Sequence, residues 1–389
     1  MPVLPEWINF HFPTRIHLEA DCMHKAGSFI KNLGSRILIV TTQKEFENSD
    51  ELSLLKTSLE RNTDGVIIYD DIAGFPTFKD IDSAVYFARI SNANCIIAYG
   101  GFESINAAKA IALLAPNSIF SEELLTTKKQ ITEPPLPLVV IPSRPVMGNE
   151  CSPFFCLVDN KNTNGRKYYS HPSVFPELVV ADPKIAQTLS SSEIAKTGIA
   201  ILAAAIDTIL SKFANELTNS NSLRAIELIS KNIIPAVRDT RSIGPKTSIF
   251  AASLLAGMAQ SSASLGLCYG LAISSSMTST MDVYQAMNIL LPHVMEYNLT
   301  SSAGKYVMIA KALDEDIAEI SVIEAAIKAV EGIRKIYLEL RLPQKLSEFQ
   351  ISKNLLRDIA YQTSALPFLD SLPRELPRNE IETILVAAY

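Results

Sequence analysis

The first half of the chain alternates apolar runs with amphipathic segments. Three runs are apolar and rich in β-branched side chains, which is typical of buried strands. They are residues 37–42, 65–70 and 94–101. A segment with the apolar spacing of one helix face follows each of them, at residues 50–60, 80–90 and 105–115. This order predicts a parallel, doubly wound sheet covered by helices, and such sheets bind ligands at the carboxyl ends of their strands.

Long helical segments replace this alternation after residue 183. Ser190 and Glu193 have the spacing of a capping box that opens a helix. Nearly every segment from there to the C-terminus has helical spacing. The pattern therefore predicts an N-terminal α/β domain of the nucleotide-binding type over residues 1–183, followed by an all-α domain over residues 184–389.

Composition and charge narrow the classes of function. The chain has 35 basic and 41 acidic residues and a formal net charge of −6. Because it lacks a basic run that could neutralise a line of phosphates, we expect no nucleic-acid partner. Residues 247–281 carry no formal charge, but serine clusters interrupt them before an apolar block reaches the roughly 18 residues that a membrane span needs. Five cysteines without paired spacing, and an N-terminus unlike a secretory signal, predict a reduced, cytoplasmic protein.

A strand end, two glycines and a helix start form a candidate phosphate loop at residues 99–110 (YGGFESINAAKA). Gly100 and Gly101 would let backbone N–H groups approach a pyrophosphate, and the helix N-terminus would add partial positive charge. A Gly-Gly turn is equally an ordinary way to join a strand tightly to a helix. The motif alone leaves both interpretations open.

The wider context changes this balance, because a series of short sequence motifs extends along nearly the whole chain. They are FPTRI (12–16), ILIVTT (37–42), FPT (75–77), GGFESINAAKAIA (100–112), PSRPVMGNE (142–150), LVVADP (178–183), SLLAGMA (253–259), ILLPHVMEYN (289–298) and PRNEIETILVAAY (377–389). In their order and spacing the chain resembles the iron-type (group III) alcohol dehydrogenase family, whose fold is shared with glycerol dehydrogenase and dehydroquinate synthase. The resemblance implies a homodimer formed through the first domain. It also implies a divalent metal, usually iron or zinc, that polarises an alcohol or aldehyde oxygen while hydride passes to or from a nicotinamide.

The metal in that family is held by one Asp and three His, and this chain differs at all four positions. Aligned on the family's motifs, the positions are Ala200, Ala204, Tyr269 and Val283, and a further family His near the substrate falls on Ile273. Alanine and valine carry no donor atom, and a tyrosine without companions is a poor ligand. We therefore expect no catalytic metal.

The nucleotide loops also depart from the family. Phe102 and Glu103 follow Gly101 where the family has a third glycine and a serine. A bulky side chain and a carboxylate at a helix N-terminus both oppose a pyrophosphate, so NAD(P) binding is in doubt. The residues that would contact such a cofactor are Gly100, Gly101, Ser104, Thr42, Ser143, Arg144, Gly148 and Lys167.

Two functions are compatible with this sequence. The leading hypothesis is a divergent, metal-free family member that has lost alcohol oxidation and binds another small molecule or pairs with an active relative as a regulatory or structural subunit. The alternative is a metal-independent, NAD(P)H-dependent alcohol or aldehyde oxidoreductase. Its proton donor would be Tyr269, with Tyr284 as second candidate and Asp207 on the same helix face as Ala200. A site for another metal is the weakest hypothesis, and it would use Cys151, Cys156 and Cys268.

Overall fold

A computed structural model of the chain describes residues 8–127, 129–160, 165–278 and 281–389. The described residues divide into two compact units. The first is Pro13–Thr188, and the second is Leu189–Tyr389 together with residues 8–12.

The division lies shortly after the boundary at residue 183 that the sequence suggests. Asp182 explains why the next residues stay with the first unit, because its carboxylate accepts hydrogen bonds from the backbone N–H groups of Asp21 (3.0 Å) and Met23 (3.2 Å). The 3-10 helix Ile185–Thr188 follows directly and ends the unit.

The first unit is built on a parallel sheet. Its strands and one separate pair are β1 (Arg15–Leu18), β2 (Arg36–Val40), β3 (Gly65–Tyr69), β4 (Cys95–Gly100), β5 (Leu138–Pro142), β6 (Phe154–Val158), β7 (Arg166–Ser170) and β8 (Leu178–Ala181). Within the described residues the sheet has the order β1-β8-β5-β4-β2-β3, and β6 and β7 form an antiparallel pair. The inner strands β4, β5 and β8 are fully buried, as expected for a sheet covered on both faces. The predicted parallel, doubly wound sheet is confirmed.

The helices of the first unit cover this sheet. They are α1 (Ala26–Ile30), α2 (Gln43–Glu47), α3 (Asp50–Glu60), α4 (Phe78–Ile90), α5 (Phe102–Leu114) and α6 (Ser121–Thr126), with 3-10 helices at Cys22–Lys25, Asn149–Cys151 and Pro172–Val174. Alternate strand residues, such as Ile37, Ile39 and Ile97, form one core with apolar side chains of α1 and α3. Every residue of α5 except Glu103 is buried.

A buried lysine ties α5 to the segment that precedes and begins β6. Lys109 is 1% exposed, and its Nζ lies within hydrogen-bond distance of Asn149 O (2.6 Å), Asn149 Oδ1 (2.9 Å), Ser152 Oγ (3.2 Å) and Phe154 O (2.9 Å). Burial lowers the pKa of Lys109 to about 7. These four acceptors surround the three N–H donors of the ammonium, and hydrogen bonds to them replace those to water, which makes its burial tolerable.

All regular secondary structure in the described residues of the second unit is helical, as the sequence predicts, whereas residues 8–12 and the connecting segments have none. Its helices are α7 (Ser191–Leu210), α8 (Glu216–Arg238), α9 (Ile243–Ala263), α10 (Leu267–Thr278), α11 (Val283–Asn298), α12 (Ala303–Ala312), α13 (Val322–Leu340), α14 (Leu355–Ser364) and α15 (Arg378–Ala387), with 3-10 helices at Leu346–Phe349 and Pro367–Ser371. Ser190 and Glu193 form the expected capping box at the start of α7. From Thr197 to Leu210 every residue of α7 is buried, and α8, α9 and α11 pack against it.

Over the residues that the structure describes, no individual helix combines the length and apolarity of a membrane span. Among the described helices, α9 and Leu267–Met277 of α10 meet those criteria together, as a pair bent by 103°.

A proline inside α11 is compensated by a tyrosine of α13. Pro292 has no N–H, so the carbonyl of Asn288 one turn earlier lacks its helical donor. The buried hydroxyl of Tyr337 donates a hydrogen bond to that carbonyl oxygen. The side chain thus replaces a backbone bond that the sequence of α11 cannot make.

We expect Tyr337→Phe to lower the free energy of unfolding by about 1–2 kcal/mol, because it leaves a buried carbonyl without a donor. Chemical denaturation measures this change. Tyr361→Phe is the matched control, since Tyr361 is 61% exposed. Removal of its hydroxyl should change the free energy of unfolding by less than about 0.5 kcal/mol. Equal stability of the Tyr337 variant and the native chain would contradict the assignment.

Candidate functional site

The winding of the sheet creates a crevice between β2 and β4. From β2 the chain adds β3 on one side, and it then crosses to add β4 on the other side. Ligands of open α/β sheets bind outside the carboxyl ends of the strands at such a reversal. The segments that follow β2, β4 and β5 therefore form the first candidate site.

Four donors from these segments converge on one carboxylate, that of Glu45. Gly101 N–H donates to Oε1 at 2.7 Å, and the Ser143 hydroxyl donates to the same oxygen at 2.9 Å. The hydroxyls of Ser104 (2.7 Å) and Thr42 (3.2 Å) donate to Oε2. We call these four donors the cradle. All four residues are among the cofactor contacts suggested by the sequence, whereas Glu45 is not.

The local sequence places Glu45 here through an N-cap. Thr42 precedes α2, and its hydroxyl oxygen accepts a hydrogen bond from the backbone N–H of Glu45 (3.3 Å). In a capping box the glutamate would turn back to the N-cap backbone, but here it reaches across to Gly101.

Gly100 leaves room for this contact. It has a φ of 136°, and a Cβ on Gly100 would lie 1.9 Å from Glu45 Oε2. Only glycine both adopts this positive φ readily and leaves the space that the Glu45 carboxylate occupies.

An aromatic stack lies beside the cradle, at the first turn of α5. The buried ring of Phe102 packs against Phe75, with ring centroids 5.6 Å apart, and the Arg166 guanidinium lies 3.4 Å from the centre of the Phe75 ring. Partial burial of the Glu103 side chain raises the pKa of its carboxyl, the Glu45 charge raises it further, and the positive charges of Arg144 and Arg166 oppose these effects. The carboxyl groups of Glu45 and Glu103 therefore both lie at the N-terminus of α5.

The remaining suggested cofactor contacts have different surroundings. Arg144 lies beside Gly101, since its Nε would be 3.7 Å from a Cβ at that position. Gly148 has a φ of 87° and precedes a 3-10 helix, and Lys167 is a partly exposed residue of β7. Cys151 lies in that 3-10 helix, whereas Cys156 lies in β6.

The four positions where the resemblance implies metal ligands lie in the second unit and are all buried. Ala200 and Ala204 in α7 are 0% exposed, Tyr269 in α10 is 2% exposed and Val283 in α11 is 3% exposed. Helices α7, α10 and α11 pack against one another. No group of three or more His, Cys, Asp or Glu side chains suited to a metal occurs in the described residues. The side chains at these positions do not fit a divalent metal, because three of them have no donor atom.

Asp207 is held by the start of α10. Its carboxylate accepts hydrogen bonds from the backbone N–H groups of Cys268 (3.2 Å) and Tyr269 (2.9 Å). Gly266 permits this approach, because a Cβ there would lie 2.4 Å from Asp207 Cγ. Burial raises the pKa of Asp207 to about 7, although the two N–H donors act in the opposite direction.

The suggested catalytic tyrosines belong to the same helical unit. The Tyr269 ring meets Phe368 edge to face, with centroids 6.3 Å apart. The Tyr284 ring lies 5.9 Å from Lys196 Nζ, and that ammonium also pairs with Asp282 at 2.6 Å. Asp207 thus adjoins Tyr269 through its backbone, and the catalytic roles of Tyr269, Tyr284 and Asp207 remain predictions.

Comparisons with known proteins assign both units to one family. The sequence model of the family "Iron-containing alcohol dehydrogenase" matches residues 13–183. The model of the "Fe-containing alcohol dehydrogenase family, C-terminal" matches residues 194–389. Probable alcohol dehydrogenase EutG of Escherichia coli K12 is 32% identical over 243 residues, which are 62% of this chain and 60% of that relative's length. The 1,3-propanediol dehydrogenase of Klebsiella pneumoniae is 25% identical over 396 residues, with 98% of this chain and 97% of the relative covered.

A crystal structure of 1,3-propanediol oxidoreductase superposes with a TM-score of 0.92 at 24% identity, covering 99% of this chain and 100% of the other. This similarity confirms the predicted combination of an α/β unit and an all-helical unit.

The raised pKa of Asp207 predicts a specific pH dependence of stability. The folded chain holds this proton more tightly than the unfolded chain, so the stabilisation is complete below about pH 4 and is lost as the pH rises through about 7. Relative to Asp207→Asn, which cannot titrate, the native chain should lose on the order of 3 kcal/mol of unfolding free energy between pH 4.5 and pH 8. Urea denaturation of both chains across this range measures the difference. Parallel pH profiles would rule out titration of Asp207 in this window.

Proposed function

Because the chain belongs to the iron-containing alcohol dehydrogenase family, we propose that it is a divergent member that has lost metal-dependent alcohol oxidation. Its fold would serve instead in binding another small molecule or as a regulatory or structural subunit. The observation that carries this proposal is the set of side chains at the four ligand positions, Ala200, Ala204, Tyr269 and Val283.

The coordination chemistry supports the loss of the metal. A divalent ion in such a site takes three or four N, O or S donors at about 2.0–2.3 Å. Methyl groups cannot supply them, and the one phenol at these positions cannot replace a set of imidazoles and a carboxylate. Asp207, just under one helix turn beyond Ala204, already accepts two backbone hydrogen bonds. Without a metal, nothing in this set polarises an alcohol oxygen as a Lewis acid would.

We propose further that the native chain does not bind NAD(P) tightly. The cradle donors already bond to Glu45, and Glu103 adds a second carboxylate at the start of α5. A pyrophosphate would have to displace one carboxylate and sit beside the other, and both effects disfavour binding.

The metal-independent oxidoreductase is a weaker proposal. Tyr269 is buried and packs on Phe368, whereas a proton donor must come within hydrogen-bond reach of its substrate. Such an enzyme would also need a nicotinamide. NADPH oxidation with short aldehydes, lost in Tyr269→Phe, would favour this function over the leading one.

We propose also that the protein is a cytoplasmic homodimer. Its support is the family resemblance and the cysteines, since Cys22, Cys95, Cys151, Cys156 and Cys268 are buried free thiols.

The proposal predicts that the native protein holds little metal. After expression in medium supplemented with iron and zinc, inductively coupled plasma mass spectrometry should find far less than one metal ion per chain. Alcohol oxidation with NAD⁺ should be absent under the same conditions.

A chain carrying Ala200→Asp, Ala204→His, Tyr269→His and Val283→His is the matched comparison. Since it restores the donor set of the family, it should retain metal where the native chain does not, with circular dichroism confirming that it folds. One iron or zinc ion per native chain would overturn the proposed loss of the metal.

A further inference from the structure

We propose that Glu45 is an internal anion that keeps the cradle closed, and that the cradle without this carboxylate accepts a small oxyanion such as a diphosphate. The inference concerns the first unit and does not depend on the loss of the metal in the second. It rests on the bonding of one side chain rather than on a helix N-terminus alone.

The bonding of Glu45 is that of a bound ligand. A carboxylate offers about four lone-pair positions, and four donors from three chain segments surround this one at 2.7, 2.7, 2.9 and 3.2 Å. A backbone N–H at a helix start combined with hydroxyls is a common environment for oxyanions in proteins. An ordinary capping contact would use one or two donors from its own helix.

While Glu45 is present, electrostatics also favour the closed cradle, in which the donors bond to Glu45, over a cradle that holds a diphosphate. Departure of the carboxylate would leave the Gly101 N–H and the Ser104 and Ser143 hydroxyls without their present acceptor. An incoming diphosphate would meet the charges of Glu45 and Glu103 together. Replacement of the Glu45 carboxylate by a diphosphate is therefore unfavourable in free energy.

The surroundings define what an opened cradle would accept. Its own groups are one N–H and three hydroxyls, all donors, and Arg144 lies beside Gly101. The Phe102 ring packs on Phe75. The obstacle at the cradle is thus the charge of Glu45 rather than the bulk of Phe102. Donors with a nearby guanidinium favour an oxyanion over a neutral ligand.

The test compares the full native chain with Glu45→Ala. Thermal unfolding is followed with increasing inorganic pyrophosphate and, separately, with sodium acetate, at constant ionic strength. Pyrophosphate should raise the Tm of Glu45→Ala and leave the native Tm unchanged, because a ligand that binds the folded state stabilises it. Acetate should do the same by replacing the missing carboxylate. If the native chain is closed more than about 90% of the time, calorimetry should find pyrophosphate binding at least about tenfold tighter in the variant.

Glu47→Ala is the matched control. Glu47 lies on the same helix, is exposed and accepts a hydrogen bond only from Gln43 among the contacts of the described residues, so its variant should respond like the native chain. Glu45→Gln keeps the shape and removes the charge, and it should also gain pyrophosphate binding, which keeps the test decisive if Glu45→Ala folds poorly.

Two results would overturn the proposal. One is equal stabilisation of the native chain and the Glu45 variants by pyrophosphate, which would mean that the carboxylate does not close the cradle. The other is no response of either Glu45 variant to either anion. Neither result depends on metal content, so the proposed loss of the metal is tested separately, whereas the proposed weak binding of NAD(P) rests on the same Glu45 contacts.

Discussion

The contact on which the first unit's functional edge depends is the carboxylate of Glu45. A parallel sheet brings the carboxyl ends of its strands to one edge, where following helices begin with unpaired N–H groups. In this chain the donors after β4 and β5 and the hydroxyl after β2 all find their acceptor in one side chain. The loops at that edge are thereby fixed to one another without a ligand.

Asp207 has a related part in the second unit. From its position in α7, its carboxylate accepts hydrogen bonds from the backbone N–H groups of Cys268 and Tyr269 at the start of α10. These residues lie next to positions where the family has metal ligands. Each unit therefore satisfies polar backbone groups near a family functional position with its own carboxylate. The contacts that hold these elements together therefore differ from the residues at the family's metal positions, since fold and site rest on different residues.

Sequence alone predicts the elements better than it predicts the contacts across them. Residues 50–60 have the limits of α3, and the capping box at Ser190 and Glu193 is present, because both depend on side chains close in sequence. Glu45 is different. It is absent from the cofactor contacts that the sequence suggests, because only the register of β2 beside β4 brings it to Gly101.

The same limit applies to Asp207 and Phe102. Helix spacing places Asp207 on one face with Ala200, but its partners come from α10, and no periodicity reports where that helix begins in space. The identity of Phe102 suggested a steric block, whereas its rotamer directs the ring onto Phe75. Residue types at the family's metal positions, in contrast, are read directly from the chain.

The attachment of Glu45 to the chain gives the closed cradle a property that no separate inhibitor would have. A carboxylate carried on α2, directly after β2, is present at its binding position at an effective concentration of about millimolar or higher. This concentration does not fall when the protein is diluted, and it does not change with the abundance of a partner. Closure is consequently the same in a dilute solution as in a crowded compartment, and only free anions at comparable concentrations compete with it.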